Sequence, residues 1–374
     1  MTMKVALVAD WFAPRRGGIE SQLLGLANGL KSAGVDVNVI TSMPGPDLVG
    51  GIAVTRLKCL RLPWLLLAVS PRLVRILKAA LLDVRPDVVH IHPSIVAPTC
   101  LAGFIAARSL GLPVVLTFHS WMVNLPRLLR LADRIWGWAS PPVRVTGVGR
   151  HIVAQLDTVR PGLNAGILPN GFDYEFWSKQ DGPLAARQGF TIATAIRFET
   201  KKRPLVLPEL LKTVAQSAKG KQVDLVAAGQ GRLSRAVLKK AARLGVAQQF
   251  HIEVWLDRDG LRSLYRRADV FVLPSITESF GLAALEARAA GLPVVARSGT
   301  GVDNYITDGI DGILCSSDIE MAEALVRLCH DRDLLARLSG PRPALIRHDW
   351  SRVTARHLEV YRDLVRQAGA APDT

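Results

Sequence analysis

Pro274, Ser275, Ile276, Thr277, Glu278, Ser279, Phe280, Gly281, Leu282, Ala283, Ala284, Leu285 and Glu286 run on through Ala290, Gly291, Leu292, Pro293, Val294 and Val295. The run follows an apolar stretch, Asp269 to Leu273, and opens a helical pattern, so it reads as strand, loop and helix. In an open parallel sheet ligands bind beyond the carboxyl ends of the strands, which gives a loop in this position particular weight. A helix starting near Gly281 points free N–H groups at such a site, and Gly281 lets a ligand come close to the main chain. Glu278 falls in the loop and Glu286 in the helix, offering one ligand two carboxylates at different depths. Two glutamates by themselves read more simply as a solvated acid beside an ordinary helix start.

Outward from this stretch, short β-rich runs alternate with helical patterns. Thr191 to Ile196, Val223 to Ala228 and His251 to Trp255 precede it, and Pro293 to Ala296 closes it. An earlier series comprises Lys4 to Ala9, Asp36 to Thr41, Asp87 to His92 and Pro113 to Phe118. This is the rhythm of parallel α/β sheets. A polar segment, Tyr174 to Gly189, with Lys179, Gln180, Asp181, Gly182 and Pro183, marks the exit from the connection between the two series. The predicted fold class is α/β, with two Rossmann-like, doubly wound parallel-sheet domains facing a central cleft. The domains are expected over residues 1–168 and 169–350, and a last helix in 351–374 is expected to cross back to the first, as in related folds.

A chain of 374 residues, 49% apolar and 21% charged, can bury two ordinary cores. Its four cysteines, Cys59, Cys100, Cys315 and Cys329, show no short pairing, and the N-terminus lacks a leader pattern, so a reducing cytoplasm is expected. The longest uncharged stretch, Val88 to Ala107, contains His90, His92, Pro93 and Pro98 and does not read as a span of ~20 apolar residues. The net charge of +15 is uneven: residues 1–168 carry 18 Lys and Arg against 8 Asp and Glu. Such a surface attracts anions. A nucleic-acid-binding protein would also be basic, but it needs a recognition helix or an aromatic and basic platform, and neither is recognisable.

The block from Glu278 to Pro293 resembles the donor-site signature of the retaining GT-B glycosyltransferases, family 4 (group 1) type. That large family includes sucrose synthases, mannosyltransferases and lipopolysaccharide glycosyltransferases. The resemblance covers most of the chain and is most specific over residues 190–313. It implies a nucleotide diphosphate sugar as donor substrate and no cofactor. Glu278 would touch the transferred sugar and Glu286 hold the ribose hydroxyls, while Ser279, Phe280, Gly281 and Leu282 present main-chain donors to sugar and diphosphate. Arg197 and Lys202 resemble the family's basic pair for the diphosphate, with Ile196 where the family usually has glycine. Fixed cations can stabilise the charge that builds on a leaving diphosphate without a metal. Lys201 and Arg203 read as surface charges.

Pro14, Arg15, Arg16, Gly17, Gly18, Ile19 and Glu20 lie between the first strand and a helix. Two glycines alone indicate a tight turn. The likeness to the family's glycine-rich loop, continuing into Ser21, Gln22, Leu23 and Leu26, implies that Gly17 and Gly18 lie against the donor phosphates. A lone histidine at a strand end is more often structural, but Thr117, Phe118 and His119 resemble the run bearing the family's sugar-contacting cleft histidine. His90 and His92 read as neutral strand-end groups. Gly229 and Gly231 fit the family's turn beside the donor, or equally a plain strand-to-helix turn. Gly299, Gly301 and Asp303 stand where the family usually has two adjacent glycines and a glutamate. Asn170, Gly171, Phe172, Asp173 and Phe176 resemble the family's interdomain connection and are read first as architectural.

The family resemblance implies front-face attack with the donor phosphate taking the acceptor proton, so no nucleophilic carboxylate is nominated. The expected catalytic set is His119, Glu278, Arg197 and Lys202. Asp257, Arg258 and Asp259 imitate a metal-binding aspartate pair, but they precede a helical pattern and read as a helix cap, so no metal is expected. The rival enzyme reading is a nucleotide-sugar epimerase of the same architecture. Two basic segments, Arg56 to Lys78 with Trp64, Leu65 and Leu66, and Leu125 to Trp138 with Arg127, Arg130, Arg134 and Trp136, fit contact with anionic lipid. The alternative is two core helices with charged edges. A lipid-linked or glycan acceptor at the cytoplasmic membrane face is therefore expected, and no nucleic acid.

Overall fold

A computed structural model describes residues 2–15, 17–62, 67–94, 96–120, 126–140 (side chains from 129), 143–179, 189–254 and 256–369. Arg16, Trp64, Leu65, Leu66, Leu125, the Arg127 side chain, Gln180, Asp181, Gly182, Pro183 and Trp255 lie outside the described residues. Contacts divide the chain into two units, one of residues 1–172 with 347–374 and one of residues 173–346.

The first unit is built on strands β1 (Lys4–Ala9), β2 (Asp36–Thr41), β3 (Leu48–Val49), β4 (Ile52–Arg56), β5 (Val88–Ile91), β6 (Val114–Phe118), β7 (Val143–Gly147) and β8 (Gly166–Ile167). They form one sheet in the order β3-β4-β2-β1-β5-β6-β7-β8, parallel except for the β3–β4 pair at the edge. β1 is buried at every position after Lys4, as a central parallel strand covered on both faces must be. Its cover on one side is the helix Gly18–Ser32, whose Leu23, Leu26, Ala27 and Leu30 join Leu358, Tyr361 and Leu364 of the helix Trp350–Gly369 in one core. Gly25 permits that approach: a Cβ there would lie 2.0 Å from the Trp350 ring. The strand order reverses at β1 and β5, so the carboxyl ends of β1, β5 and β6 open on a single crevice of this unit.

The second unit contains β9 (Phe190–Ala195), β10 (Val223–Ala228), β11 (Phe250–Glu253), β12 (Val270–Leu273), β13 (Val294–Arg297) and β14 (Gly312–Cys315), all parallel, in the order β11-β10-β9-β12-β13-β14. The chain runs outward from β9 in one direction, returns, and continues from β12 in the other. The switch point is therefore between β9 and β12, the two strands that precede Arg197 and Glu278.

The basic segment Arg56 to Lys78 is not one helix. Arg56 ends β4 and the helix begins only at Leu73, running to Val84. Arg56 donates to the Met43 and Pro46 carbonyls and Arg61 to the Ser42 carbonyl, so two of its cations serve the fold. Among the described residues no helix is long and apolar enough to cross a membrane.

Candidate functional site

Beyond β9 the chain makes a tight turn: the Lys202 amide donates to the Glu199 carbonyl at 2.9 Å and Arg203 closes it in a left-handed conformation, φ 54°. Arg197 is exposed two residues past the strand. Lys202 reaches across to the loop after β12, where its Nζ donates to Oε2 of Glu278. The side chains are 34% and 11% exposed, so the carboxylate is nearly buried and needs its cation. Lys201 stays exposed. Arg203 does not, and its reading as a surface charge is corrected. Its guanidinium grips Asp318 with two bonds, of 2.7 and 2.5 Å, and donates to the Pro274 carbonyl at 3.1 Å.

The loop that carries Glu278 is seated on the turn at residues 299–305. The Gly301 amide donates to the Glu278 carbonyl at 2.7 Å, and a Cβ on Gly301 would lie 2.1 Å from the Ser279 carbonyl oxygen. Phe280 is buried and packs its ring on Tyr305. Gly281 is the N-cap of the helix Leu282–Ala289, with φ 83° and no capping side chain. The fold supplies its own reason for glycine at this position. The left-handed backbone and the Tyr305 hydroxyl, 2.9 Å from an added Cβ, already require glycine without any ligand. Thr300, in the family's glycine position, donates its hydroxyl to the Arg297 carbonyl at 2.9 Å, while Asp303 accepts from the Gly299 amide at 2.8 Å.

Gly229 and Gly231 act through packing. A Cβ on Gly229 would lie 2.2 Å from the Ile196 carbonyl oxygen and one on Gly231 2.5 Å from that of Phe198. Together they hold the backbone on either side of Arg197. Ser279 and Leu282 are half-buried on the two sides of Gly281.

Glu286, in the first helical turns after Gly281, keeps a partial opening to solvent. Burial pushes its carboxyl up to about 8, against the pull of the Arg258 cation. Arg258 is itself held by Asp173 at 2.9 Å and by the Phe176 ring, 4.2 Å from its guanidinium carbon. Asp257 caps its helix by accepting from the Gly260 amide at 2.8 Å, which is the capping role its position suggested.

In the first unit, Gly17 precedes the helix Gly18–Ser32 in an extended conformation, and a Cβ on Gly18 would meet nothing within 4 Å. The fold itself does not demand glycine at position 18, which leaves room beside that helix start. His119 lies at the end of β6, with Nε2 2.9 Å from Nδ1 of His92. Burial and the His357 ring lower its pKa to about 4, a hydrogen bond with Asn170 pulling the other way. It is therefore a neutral imidazole at pH 7. Below it runs a chain whose proton positions follow from its far end. Thr146 donates to the Leu116 carbonyl at 3.1 Å, so Thr117 donates to Thr146 at 2.6 Å, and His90 Nε2–H to Thr117 at 2.7 Å. His90 Nδ1 then accepts from the Tyr361 hydroxyl at 2.6 Å. His90 and His92 are buried and neutral, their pKa values depressed mainly by burial.

Sequence reasoning missed Tyr305, His357 and Tyr361, which lie away from strand ends, and Asp318, which follows β14, a strand that the sequence reading did not include. It also passed over Asp10. Asp10 follows β1 and accepts from the Thr99 amide at 2.8 Å, capping the helix Pro98–Ser109.

Residues 177–340 match the family described as Glycosyl transferases group 1, and residues 16–176 match Glycosyltransferase Family 4. D-inositol 3-phosphate glycosyltransferase 1 of Catenulispora acidiphila is 26% identical, over 95% of this chain and 93% of that protein. Glycogen synthase of Mycobacterium tuberculosis is 30% identical, over 74% of this chain and 69% of that one. Among solved structures, Anabaena HepE in complex with UDP superposes with a TM-score of 0.78 at 16% identity, covering 96% of this chain and 100% of the other. At that identity the likeness speaks for the fold, and the sequence relatives speak for the family. Matched in both halves and spanning most of a relative at 30% identity, the chain belongs to the group 1, family 4 glycosyltransferases, with the GT-B fold.

Proposed function

We propose that the protein moves a sugar, with retained anomeric configuration and without a metal, from a nucleotide diphosphate sugar to a lipid-linked or glycan acceptor at the cytoplasmic face of a membrane. The observation that carries this reading is the Lys202–Glu278 pair at the β9/β12 switch point, where a cation and a carboxylate meet beside an uncapped helix start. Lys202 and Arg197 take the diphosphate, whose negative charge grows as the bond to the sugar breaks. Glu278 accepts from sugar hydroxyls, and the main chain of Ser279, Phe280, Gly281 and Leu282 donates to sugar and phosphate oxygens. Glu286 takes the two ribose hydroxyls.

In the transfer, the bond from the anomeric carbon to the diphosphate oxygen breaks and the acceptor oxygen bonds the same face of that carbon. The acceptor proton passes to the departing phosphate oxygen, so no carboxylate nucleophile is required. His119, being neutral, works as a hydrogen-bonding group toward the sugar rather than as a cation. Gly17 and Gly18 leave space for phosphate at the start of their helix.

The names of the two relatives point to different acceptors, an inositol phosphate and a glucan. For the membrane, support comes from the helix Pro126–Trp136, where Leu131, Ile135 and Trp136 are 53%, 60% and 38% exposed beside exposed Arg130 and Arg134. The free cysteines suit a reducing compartment.

Heating the protein with a panel of uridine, guanosine and adenosine diphosphate sugars tests the donor reading, and protection by none of them would count against it. With the protecting donor, free nucleotide should appear faster when acceptor is added, should keep appearing in a chelator, and the product anomer should match the donor. Sugar interconversion without nucleotide release would identify an epimerase. Sedimentation with anionic vesicles, reversed by salt, tests the membrane contact; equal recovery with neutral vesicles contradicts it.

A further inference from the structure

We propose that Arg203 and Asp318 form a positioning clamp that sets Lys202 against Glu278. The inference rests on the reading of Lys202 as a diphosphate-binding group, and it assigns a task to two residues outside the expected site. Arg203 is adjacent in the chain to Lys202, and its guanidinium bonds the carbonyl of Pro274, four residues before Glu278. One side chain therefore joins the backbone that carries the cation to the backbone that carries the carboxylate.

The clamp is fixed at its other end. Asp318 opens the helix Asp318–His330, accepts both Arg203 bonds in parallel, and also accepts from Arg297 at 3.2 Å. A planar fork against a carboxylate fixes direction as well as distance, which a lysine at 203 could not do. The Arg203 pKa is raised, first by its hydrogen bond to Asp318. Arg203 also holds a left-handed backbone, φ 54°, that non-glycine residues rarely adopt. A glycine would close the same turn more easily, so turn geometry alone does not account for arginine at this position.

Because Lys202 is bonded to the carboxylate assigned to the sugar, it faces the outer phosphate of a nucleoside diphosphate. Calorimetry with UDP, GDP or ADP, whichever binds, and with the matching monophosphate, separates the possibilities. Arg203→Gly keeps the turn and removes the clamp; it should weaken diphosphate binding about tenfold while moving monophosphate binding less than about twofold. In a double-mutant cycle it should add almost nothing to Lys202→Ala, since the clamp acts through that lysine. Asp318→Asn opens the clamp from the other side and should give the same pattern, which covers the case in which Arg203→Gly folds poorly. Equal losses for mono- and diphosphate, or additive losses with Lys202→Ala, would overturn the clamp. If Lys202→Ala itself leaves diphosphate affinity unchanged, the reading of Lys202 fails and the clamp falls with it.

Discussion

The hydroxyl of Tyr305 donates to the carbonyl oxygen of Gly281 at 2.6 Å, both groups buried. This bond pins the left-handed residue from which the helix Leu282–Ala289 starts, and so fixes the direction of the amides before it. Tyr305→Phe removes this donor while the Ala284 and Leu285 amides still bond the Gly281 carbonyl at 3.0 and 3.1 Å, so it should cost about 1 kcal/mol in a denaturant titration. Gly281→Ala should cost more, about 2 kcal/mol or above, because the added methyl combines a strained φ with a contact on Tyr305. Wild-type stability in both variants would mean that the turn is set by something else.

Glu286 ionises at about 8 in the fold against an ordinary 4.5. Between those values the folded state holds a proton that the unfolded chain has lost, so this group lowers stability as pH rises through the window. Glu286→Gln should therefore be more stable than the parent above pH 8. Donor binding should run the opposite way. Ribose hydroxyls donate to the ionised form, so nucleotide-sugar affinity should rise on the order of tenfold from pH 6.5 to 8.5 and stay flat in Glu286→Gln. Calorimetry at the two pH values decides it; parallel behaviour of parent and variant would remove Glu286 from the ribose.

His357 donates Nδ1–H to the Val353 carbonyl at 2.8 Å and, with Tyr361, brings the C-terminal helix against His90. Burial lowers its pKa to about 4 from 6.5. The depressed value means that its contribution is complete above pH 6.5, declines as pH falls to 4 and is gone below that. For His357 the loss is ~3 kcal/mol across the window, and the other buried histidines steepen it. Melting curves should drop sharply between pH 6.5 and 4, less so in His357→Leu. An unchanged slope in that variant would place the acid sensitivity elsewhere.

The elements with strong periodicity were legible in the sequence. Lys4–Ala9, Asp36–Thr41 and Val223–Ala228 are strands over the expected residues, and the other expected strands are displaced by one or two residues. Short edge strands such as Leu48–Val49 and Gly166–Ile167 carry too few residues to show a period. The loop after β12 could be read because its residues are contiguous. Arg203 could not, since its partners Pro274 and Asp318 lie 71 and 115 residues away. Gly229, Gly231 and Gly281 stand out in the sequence, and the structure adds a packing reason for glycine there, in neighbouring backbone and Tyr305, that spacing along the chain does not show.

The most direct measurement is the structure of the protein soaked with a nucleotide diphosphate sugar that protects it from heating. The account predicts the diphosphate at the β9/β12 switch, with a phosphate oxygen ~3 Å from Nζ of Lys202, the sugar on Glu278 and the ribose on Glu286. A diphosphate bound elsewhere, with Lys202 and Glu278 still bonded only to each other, would contradict it.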